Sequence, residues 1–174
     1  MTARVPARPH YDGLMPELQL VRPDHAAALL AFEQENRAYF AAAIPDRGDE
    51  YFADFAERHS ELLAAQADGT DLFHVLVEPD GAIVGRINLF EVADGAADLG
   101  YRIAERSAGR GLATAAVRQV CGLAVAEYGL SVLHAKITAE NLGSKTVLER
   151  NGFVPTGEIV LNDRAGVSYR LQLK

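Results

Sequence analysis

A glycine-rich turn is the segment of this 174-residue sequence whose residue types point most directly to chemistry. The turn joins a strand-like run to a helix-like run and reads Arg106, Ser107, Ala108, Gly109, Arg110, Gly111, Leu112, Ala113, Thr114. Backbone N–H groups at the start of a helix have no intrahelical partner, and the helix dipole favours an anion there. Glycine also allows a large anion to approach the backbone. The turn therefore predicts a phosphate or pyrophosphate site, although a tight turn without a ligand would use the same glycines.

Two common phosphate motifs do not fit this turn. In a P-loop, lysine and then serine or threonine follow the second glycine, whereas Leu112 and Ala113 follow Gly111 here. The dinucleotide fingerprint needs a third small residue at the position that Thr114 occupies. Both motifs are therefore weak explanations of this turn.

A second polar segment follows the next strand-like run, residues 132–138. Asn141 is suited to cap a short helix, and Ser144 lies three positions later on the same helical face. Both side chains would point towards the space between two parallel strands. Capping alone would also explain Asn141.

The hydrophobic pattern predicts the elements that position these two segments. Strands are expected at 18–22, 72–78, 83–91, 97–104, 132–138, 153–160 and 167–173. Helices are expected from Pro23 onwards, at about 50–66, at 112–128 and at 141–151. The run from 97 to 138 is one strand–helix–strand unit, so its two strands should be parallel neighbours. The other strands should pair in antiparallel fashion, with flanking helices, in an α/β sheet.

Composition and charge restrict the class of protein. The length and the 49% of hydrophobic residues indicate one domain over 1–174, with residues 1–16 as an N-terminal extension. The single cysteine, Cys121, excludes an intramolecular disulfide and a cysteine-based zinc site, and His10, His25 and His59 lack a metal-binding spacing. We therefore expect no metal and a reducing, cytoplasmic compartment. The net charge of −7 disfavours nucleic acid, and no apolar run has the ~18 residues of a membrane span.

The charges are unevenly distributed along the chain. Eleven acidic and three basic residues lie between Asp24 and Asp71, which is a local charge of −8. Four arginines and one glutamate lie between Tyr101 and Arg118, which is a local charge of +3. Chance clustering on solvated faces would produce the same counts. As a functional pattern, it predicts a site that holds an anion at one end and favours a cation at the other.

The two polar segments together resemble the GNAT N-acetyltransferase superfamily. The run Arg106 to Gly111 is similar to that family's acetyl-CoA signature, Gln/Arg-x-x-Gly-x-Gly/Ala, and Leu99-Gly100-Tyr101-Arg102-Ile103 precedes it as in the family. The runs Asn141 to Lys145 and Leu148 to Phe153 resemble the branch that acetylates the N-terminal residues of ribosomal proteins. Residues 35–39 fit that branch more loosely. The fold implied is a GNAT-type mixed sheet, mostly antiparallel, with a central parallel strand pair and flanking helices.

The resemblance also implies roles for particular residues. Backbone groups of Tyr101, Arg102 and Ile103 would hold the pantetheine arm of acetyl-CoA, and amides of residues 107–113 would bind its pyrophosphate. Asn141 would contact pantetheine, and Ser144 would lie near the sulfur as an acid or a water holder. Many relatives have a tyrosine acid one turn after this serine. Leu148 stands there in this chain, which favours Ser144 as the acid.

The activity implied is acetyl transfer from acetyl-CoA, as co-substrate, to a primary amine by direct attack through a tetrahedral intermediate. The resemblance to the ribosomal-protein branch implies a protein N-terminal amine as acceptor, and the pKa of such an amine, about 7.7–8.0, requires only a modest base. Asp98 and Glu91, near strand ends, are the candidate bases, and a solvated charge is the alternative for each. Two further functions stay open: acetylation of a small amine such as a polyamine, aminoglycoside or amino-acid derivative, or a non-catalytic CoA-binding module. The chain could also act as a homodimer.

Overall fold

The computed structural model describes residues 15–173. The predicted extension 1–16 therefore lies outside the described residues, apart from its last two positions. The strands are β1 Glu17–Leu20, β2 Leu72–Val77, β3 Ile83–Ala93, β4 Ala96–Ile103, β5 Val132–Thr138, β6 Val154–Leu161 and β7 Arg164–Gln172. The α-helices are α1 Ala26–Glu35, α2 Arg37–Ala41, α3 Asp49–Ala53, α4 Phe55–Asp68, α5 Leu112–Ala126 and α6 Leu142–Arg150.

The described strands form one sheet in the order β1-β2-β3-β4-β5-β7-β6. Only β4 and β5 run parallel, and every other neighbouring pair is antiparallel. Helix α5 connects the two parallel strands, since a parallel pair needs a crossover rather than a tight turn. The predicted mixed sheet with a central parallel pair and flanking helices is confirmed.

Strands β4 and β5 separate soon after they begin. They pair at three positions only, the last of which joins Asp98 to His134. Beyond that point β4 stays paired with β3 as far as Ile103, and β5 stays paired with β7 as far as Thr138. The edge of β4 that faces β5 is therefore unpaired from Leu99 onwards, and a cleft opens between the two strands.

The two faces of β4 contact different helices. Tyr101 is paired with Ile87, and Ile87 is paired with His74 on the same face. The His74 ring is hydrogen-bonded to the Tyr128 hydroxyl, just after α5, at 2.6 Å, so this is the α5 face. Arg102 points to the opposite face, where it contacts Glu33 of α1 at 3.0 Å. Alternation along β4 therefore directs the Tyr101 side chain towards α5 and away from α1.

The predicted helix at 50–66 is interrupted in the structure. Helix α3 ends at Ala53, and α4 begins at Phe55, with Asp54 between them at φ −101° and ψ 21°. Tyr51 and Phe55, on either side of the break, are both buried, with their rings edge to face at 5.7 Å. The predicted single helix is therefore two helices in the structure.

Candidate active site

A cavity of about 600 Å³ occupies the cleft between β4 and the start of α6. One wall is the glycine-rich turn and the first turn of α5, and a second is the end of β4. Helix α6 and residues 39–44 complete it. The residues predicted from sequence that line it are Tyr101, Arg102, Ile103, Ser107, Ala108, Gly109, Gly111, Leu112, Ala113, Thr114, Asn141 and Ser144.

The glycine-rich turn presents unpaired backbone amides to this cavity. Gly109 and Gly111 have φ angles of 76° and 80°, in the left-handed region that glycine adopts without strain. The first backbone bond of α5 runs from the Ala115 amide to the Gly111 carbonyl at 3.1 Å, so the amides of residues 112–114 have no helical partner. Unpaired amides and the start of the helix dipole are the features that bind an anion at a helix N-terminus, as the sequence predicts for this turn.

Two amides predicted to bind the anion are already used within the turn. The Ser107 amide donates to the Ala104 carbonyl at 2.9 Å, and the Ala108 amide donates to the Glu105 carbonyl at 3.1 Å. The amides available to an anion therefore begin at Gly109. The Ser107 and Ala108 amides are hydrogen-bonded because the 3₁₀ turn at Glu105–Ser107 uses them.

The two exposed arginines of the turn do not line the cavity. Arg106 reaches Glu78 at 3.4 Å and is about half exposed. Arg110 is exposed and lies outside the cavity wall. The arginine that begins the signature therefore pairs with a neighbouring hairpin in this structure.

Helix α6 brings Asn141 and Ser144 to the opposite wall. The Asn141 side-chain oxygen accepts a hydrogen bond from the Ser144 amide at 3.1 Å, which is the predicted helix cap. Leu148, one turn later, is fully buried in the core. A hydroxyl at position 148 would point into the apolar core and not into the cavity. Ser144 is therefore the hydroxyl of this helix face that lines the cavity.

The Tyr101 hydroxyl lies in the same region. Its oxygen is buried and has no partner at hydrogen-bond distance among the described residues. Burial raises the pKa of Tyr101 to about 12, and the nearby Ser144 side chain partly offsets this. The phenol is therefore fully protonated at neutral pH and can donate a hydrogen bond.

The two candidate bases lie outside the cavity wall. Asp98 is half-buried at the last paired position of β4 and β5, where the cleft begins. Glu91 is exposed, with a φ of 52°, and its amide donates to the Asp71 carboxylate at 2.9 Å. No aspartate, glutamate or histidine is among the described residues that line the cavity.

Charged side chains behind α2 form a buried network. The Glu33 carboxylate contacts Arg86 at 2.8 Å, Arg102 at 3.0 Å and Arg47 at 3.7 Å. Burial lowers the pKa of Arg102, although Glu33 opposes that shift. Glu33 is 1% exposed, so this member of the acidic segment ties α1 to the sheet and does not face solvent.

Sequence reasoning missed part of the cavity wall. Val147 and Arg150 continue the three-residue spacing of Asn141 and Ser144 along α6, so helical periodicity alone could have found them. Tyr39, Phe40 and Ile44 carried no such signal. Their position depends on how α2 and the loop after it fold over the cleft.

Searches for two other kinds of site gave no candidates within residues 15–173. None of the helices there is long and apolar enough to cross a membrane. In the same range, no three histidine, cysteine, aspartate or glutamate side chains converge as a metal site.

Comparison with known proteins identifies the kind of domain that carries this cavity. The sequence profile of the family described as "Acetyltransferase (GNAT) domain" matches residues 17–154. The chain is 32% identical over 136 residues to the probable N-acetyltransferase YjcK of Bacillus subtilis (strain 168), and the match covers 74% of each chain.

Solved structures share the fold. A ribosomal-protein-S5-alanine acetyltransferase from Vibrio fischeri has a TM-score of 0.86 at 19% identity, covering 94% of this chain and 96% of that one. A spermidine N-acetyltransferase from Vibrio cholerae, solved with CoA and spermine, has a TM-score of 0.75 at 16% identity, covering 91% and 96%. These two proteins are named for different acceptors, so the acceptor must be argued from the site.

Proposed function

Because the chain belongs to the GNAT acetyltransferase family and is an acetyl-CoA-dependent N-acetyltransferase, we propose that its acceptor is the α-amino group of a protein N-terminus. The observation that carries this proposal is the absence of carboxylate and imidazole groups from the described cavity wall. An acceptor used by such a site must supply neutral amine largely by itself.

The pKa of the acceptor then decides between amine classes. An α-amino group has a pKa of about 7.7–8.0, so roughly a tenth of it is neutral at pH 7. An ammonium with the lysine value of about 10.4 is neutral in only about one molecule in 2,500. The difference in neutral fraction therefore favours an N-terminal amine over a polyamine.

The unpaired backbone groups that line the cavity match the pyrophosphate and the pantetheine arm of acetyl-CoA. Amides from Gly109 to Thr114 would bind the pyrophosphate, and the unpaired edge of β4 at 101–103 would hold the pantetheine arm as an added strand does. Asn141, which lines the cavity from α6, would contact pantetheine. The thioester would then lie near Ser144 and the point where β4 and β5 separate.

The transfer itself needs few protein groups. The neutral amine attacks the thioester carbon, and the resulting oxyanion is stabilised by a backbone amide. The amine proton passes through water to Asp98, which is preferred to Glu91 because it stands at the start of the cleft. When the carbon–sulfur bond breaks, the electron pair stays on sulfur. Ser144 donates a hydrogen bond to that thiolate.

Surface charge supports a cationic N-terminal segment as acceptor. Glu33 and Asp46 of the acidic segment are held by arginines, but carboxylates on α3 and α4 remain exposed. Asp49, for example, is 94% exposed although it contacts Arg37. Such charges attract a cation at low salt and are screened within ~8–10 Å at 0.1–0.15 M.

Matched acceptors test the proposal. One peptide carries a free N-terminal alanine and no lysine, and its partner has a blocked N-terminus and one internal lysine, with spermidine as a third acceptor. At pH 7 we expect kcat/KM for the free N-terminus to exceed the other two by at least about 100-fold, from the neutral fractions above. Equal or better use of the blocked peptide or spermidine contradicts the acceptor assignment.

Variants test the two site groups. Asp98→Asn should lower kcat/KM more than the matched exposed change Glu91→Gln, because only Asp98 lies at the cleft. Ser144→Ala should lower kcat with little change in acetyl-CoA affinity. If no acceptor of the panel gives thiol release from acetyl-CoA, the result would instead support a non-catalytic CoA-binding module.

A further inference from the structure

One buried hydroxyl in the cavity wall has no assigned partner. Four buried side-chain polar atoms of the described residues lack a hydrogen bond, and they belong to His59, Arg86, Asn88 and Tyr101. Only Tyr101 lines the cavity. Leaving a buried polar group unpaired is destabilising, so an orphan in a ligand cavity suggests a partner that forms during function.

The position of Tyr101 indicates that partner. The side chain leaves β4 on its α5 face, at the part of the strand that β5 no longer covers. Asn141 and Ser144 of α6 line the same cavity from across the cleft, and the Ser144 side chain is close enough to stabilise the charged form of Tyr101. Tyr101 and Ser144 therefore share one cavity wall, and the Tyr101 hydroxyl has no other partner among the described residues.

The turn of α6 that follows Ser144 offers its hydroxyl no polar side chain at the position four residues later. The residue one turn later is Leu148, which is fully buried in the core. The Ser144 amide donates to the Asn141 side-chain oxygen at 3.1 Å, but this bond does not orient the Ser144 hydroxyl. A group from outside α6 must orient that hydroxyl.

We propose that the Tyr101 hydroxyl is the positioning group for Ser144, to whose Oγ it donates a hydrogen bond. This proposal rests on the role of Ser144 given above. With its oxygen accepting from Tyr101, the Ser144 hydroxyl must direct its own proton elsewhere, and the departing sulfur is the acceptor there. No proton leaves the phenol, and the thiolate keeps the electron pair of the broken carbon–sulfur bond.

A double-mutant cycle tests the coupling. Tyr101→Phe, Ser144→Ala and the double variant are compared on whichever amine of the acceptor panel the wild-type enzyme acetylates, so an error in the acceptor leaves the test intact. Tyr101→Phe should lower kcat roughly three- to tenfold, the range for loss of one neutral hydrogen bond, with the acetyl-CoA KM changed less than about twofold. In the Ser144→Ala background the same replacement should change kcat less than about twofold.

A matched control removes another tyrosine hydroxyl. Tyr128 is half-buried, is bonded to His74 at 2.6 Å and lies outside the cavity wall. Tyr128→Phe should lower the thermal midpoint without lowering kcat. Tyr101→Phe should keep its midpoint because it removes an unpaired buried hydroxyl.

The outcomes separate the two proposals. Equal losses from Tyr101→Phe in both backgrounds, a rise in the acetyl-CoA KM alone, or an unchanged kcat each overturn the positioning role. Loss of kcat in Ser144→Ala with no effect of Tyr101→Phe overturns this inference only. A near wild-type kcat for Ser144→Ala overturns the proposed part of Ser144 as well.

Discussion

Gly109→Ala is the most direct perturbation of the anion site. An ideal Cβ at Gly109 meets no atom within 4 Å, so steric clash does not enter. The change acts only through the φ of 76°, which a residue with a Cβ adopts at a free-energy cost of about 1–2 kcal/mol. Gly111 has a φ of 80°, so alanine at that position would carry the same backbone free-energy cost.

The free-energy cost of Gly109→Ala can lower either the affinity for acetyl-CoA or the stability of the fold. If the variant turn relaxes in the free protein, acetyl-CoA must restore it, and the Kd rises about 5- to 30-fold. If surrounding contacts hold the turn in place, the cost appears as a thermal midpoint lower by about 2–8 °C. Calorimetric titration with acetyl-CoA and thermal unfolding on one sample measure both quantities.

Gly122→Ala is the matched control on the same helix. Gly122 is exposed within α5, and its ideal Cβ also meets no atom within 4 Å. Alanine there should stabilise the helix by about 0.5–1 kcal/mol and leave the acetyl-CoA Kd unchanged. If Gly109→Ala changes neither Kd nor the thermal midpoint, the argument from the left-handed turn is wrong.

Three further predictions follow from buried groups. Glu33→Gln leaves buried arginines without a carboxylate, so it should destabilise the fold by about 3–5 kcal/mol and lower the thermal midpoint by roughly 6–20 °C. Asp24→Asn, at an exposed ion pair, should leave the thermal midpoint unchanged, and equal shifts for the two variants contradict the buried role of Glu33. Burial raises the pKa of Cys121 to about 11, so a thiol reagent at pH 8 should label the folded protein at least about 100-fold more slowly than the protein in urea. Burial lowers the pKa of His74, so near and below about pH 6.5 the unfolded state binds that proton more readily than the folded state. Urea unfolding should therefore show stability falling from pH 7.5 to 5.5, and less steeply in His74→Gln.

The order of elements and the anion site were accessible from sequence because their causes are local. Alternation, turn residues and the strand–helix–strand unit from β4 to β5 predicted the parallel pair that the structure confirms. Glycine at 109 and 111 indicated a turn with positive φ before a helix, and both angles are positive. Asn141 as the cap of α6 follows from the chemistry of one side chain and the next amides.

Contacts between distant segments could not be read in this way. The acidic segment appeared uniform in sequence, yet Glu33 is buried against arginines of β3, β4 and the loop after α2. Arg106 fits the signature, but its side chain pairs with Glu78 of the preceding hairpin. Such pairings depend on which charges the folded sheet brings within reach, and sequence separation carries no information about that.

The sequence by itself determined the succession of strands, the parallel strand pair and the two polar segments, since backbone propensity, capping and glycine conformation act over a few residues. The tertiary structure alone decided which groups share the cavity. It separates β4 from β5 after Asp98, brings Tyr101 and Ser144 into one cavity wall and leaves carboxylates out of the described wall. These are consequences of packing α1, α5 and α6 against one twisted sheet, because the depth and width of a cleft are set by the sum of many contacts across the fold.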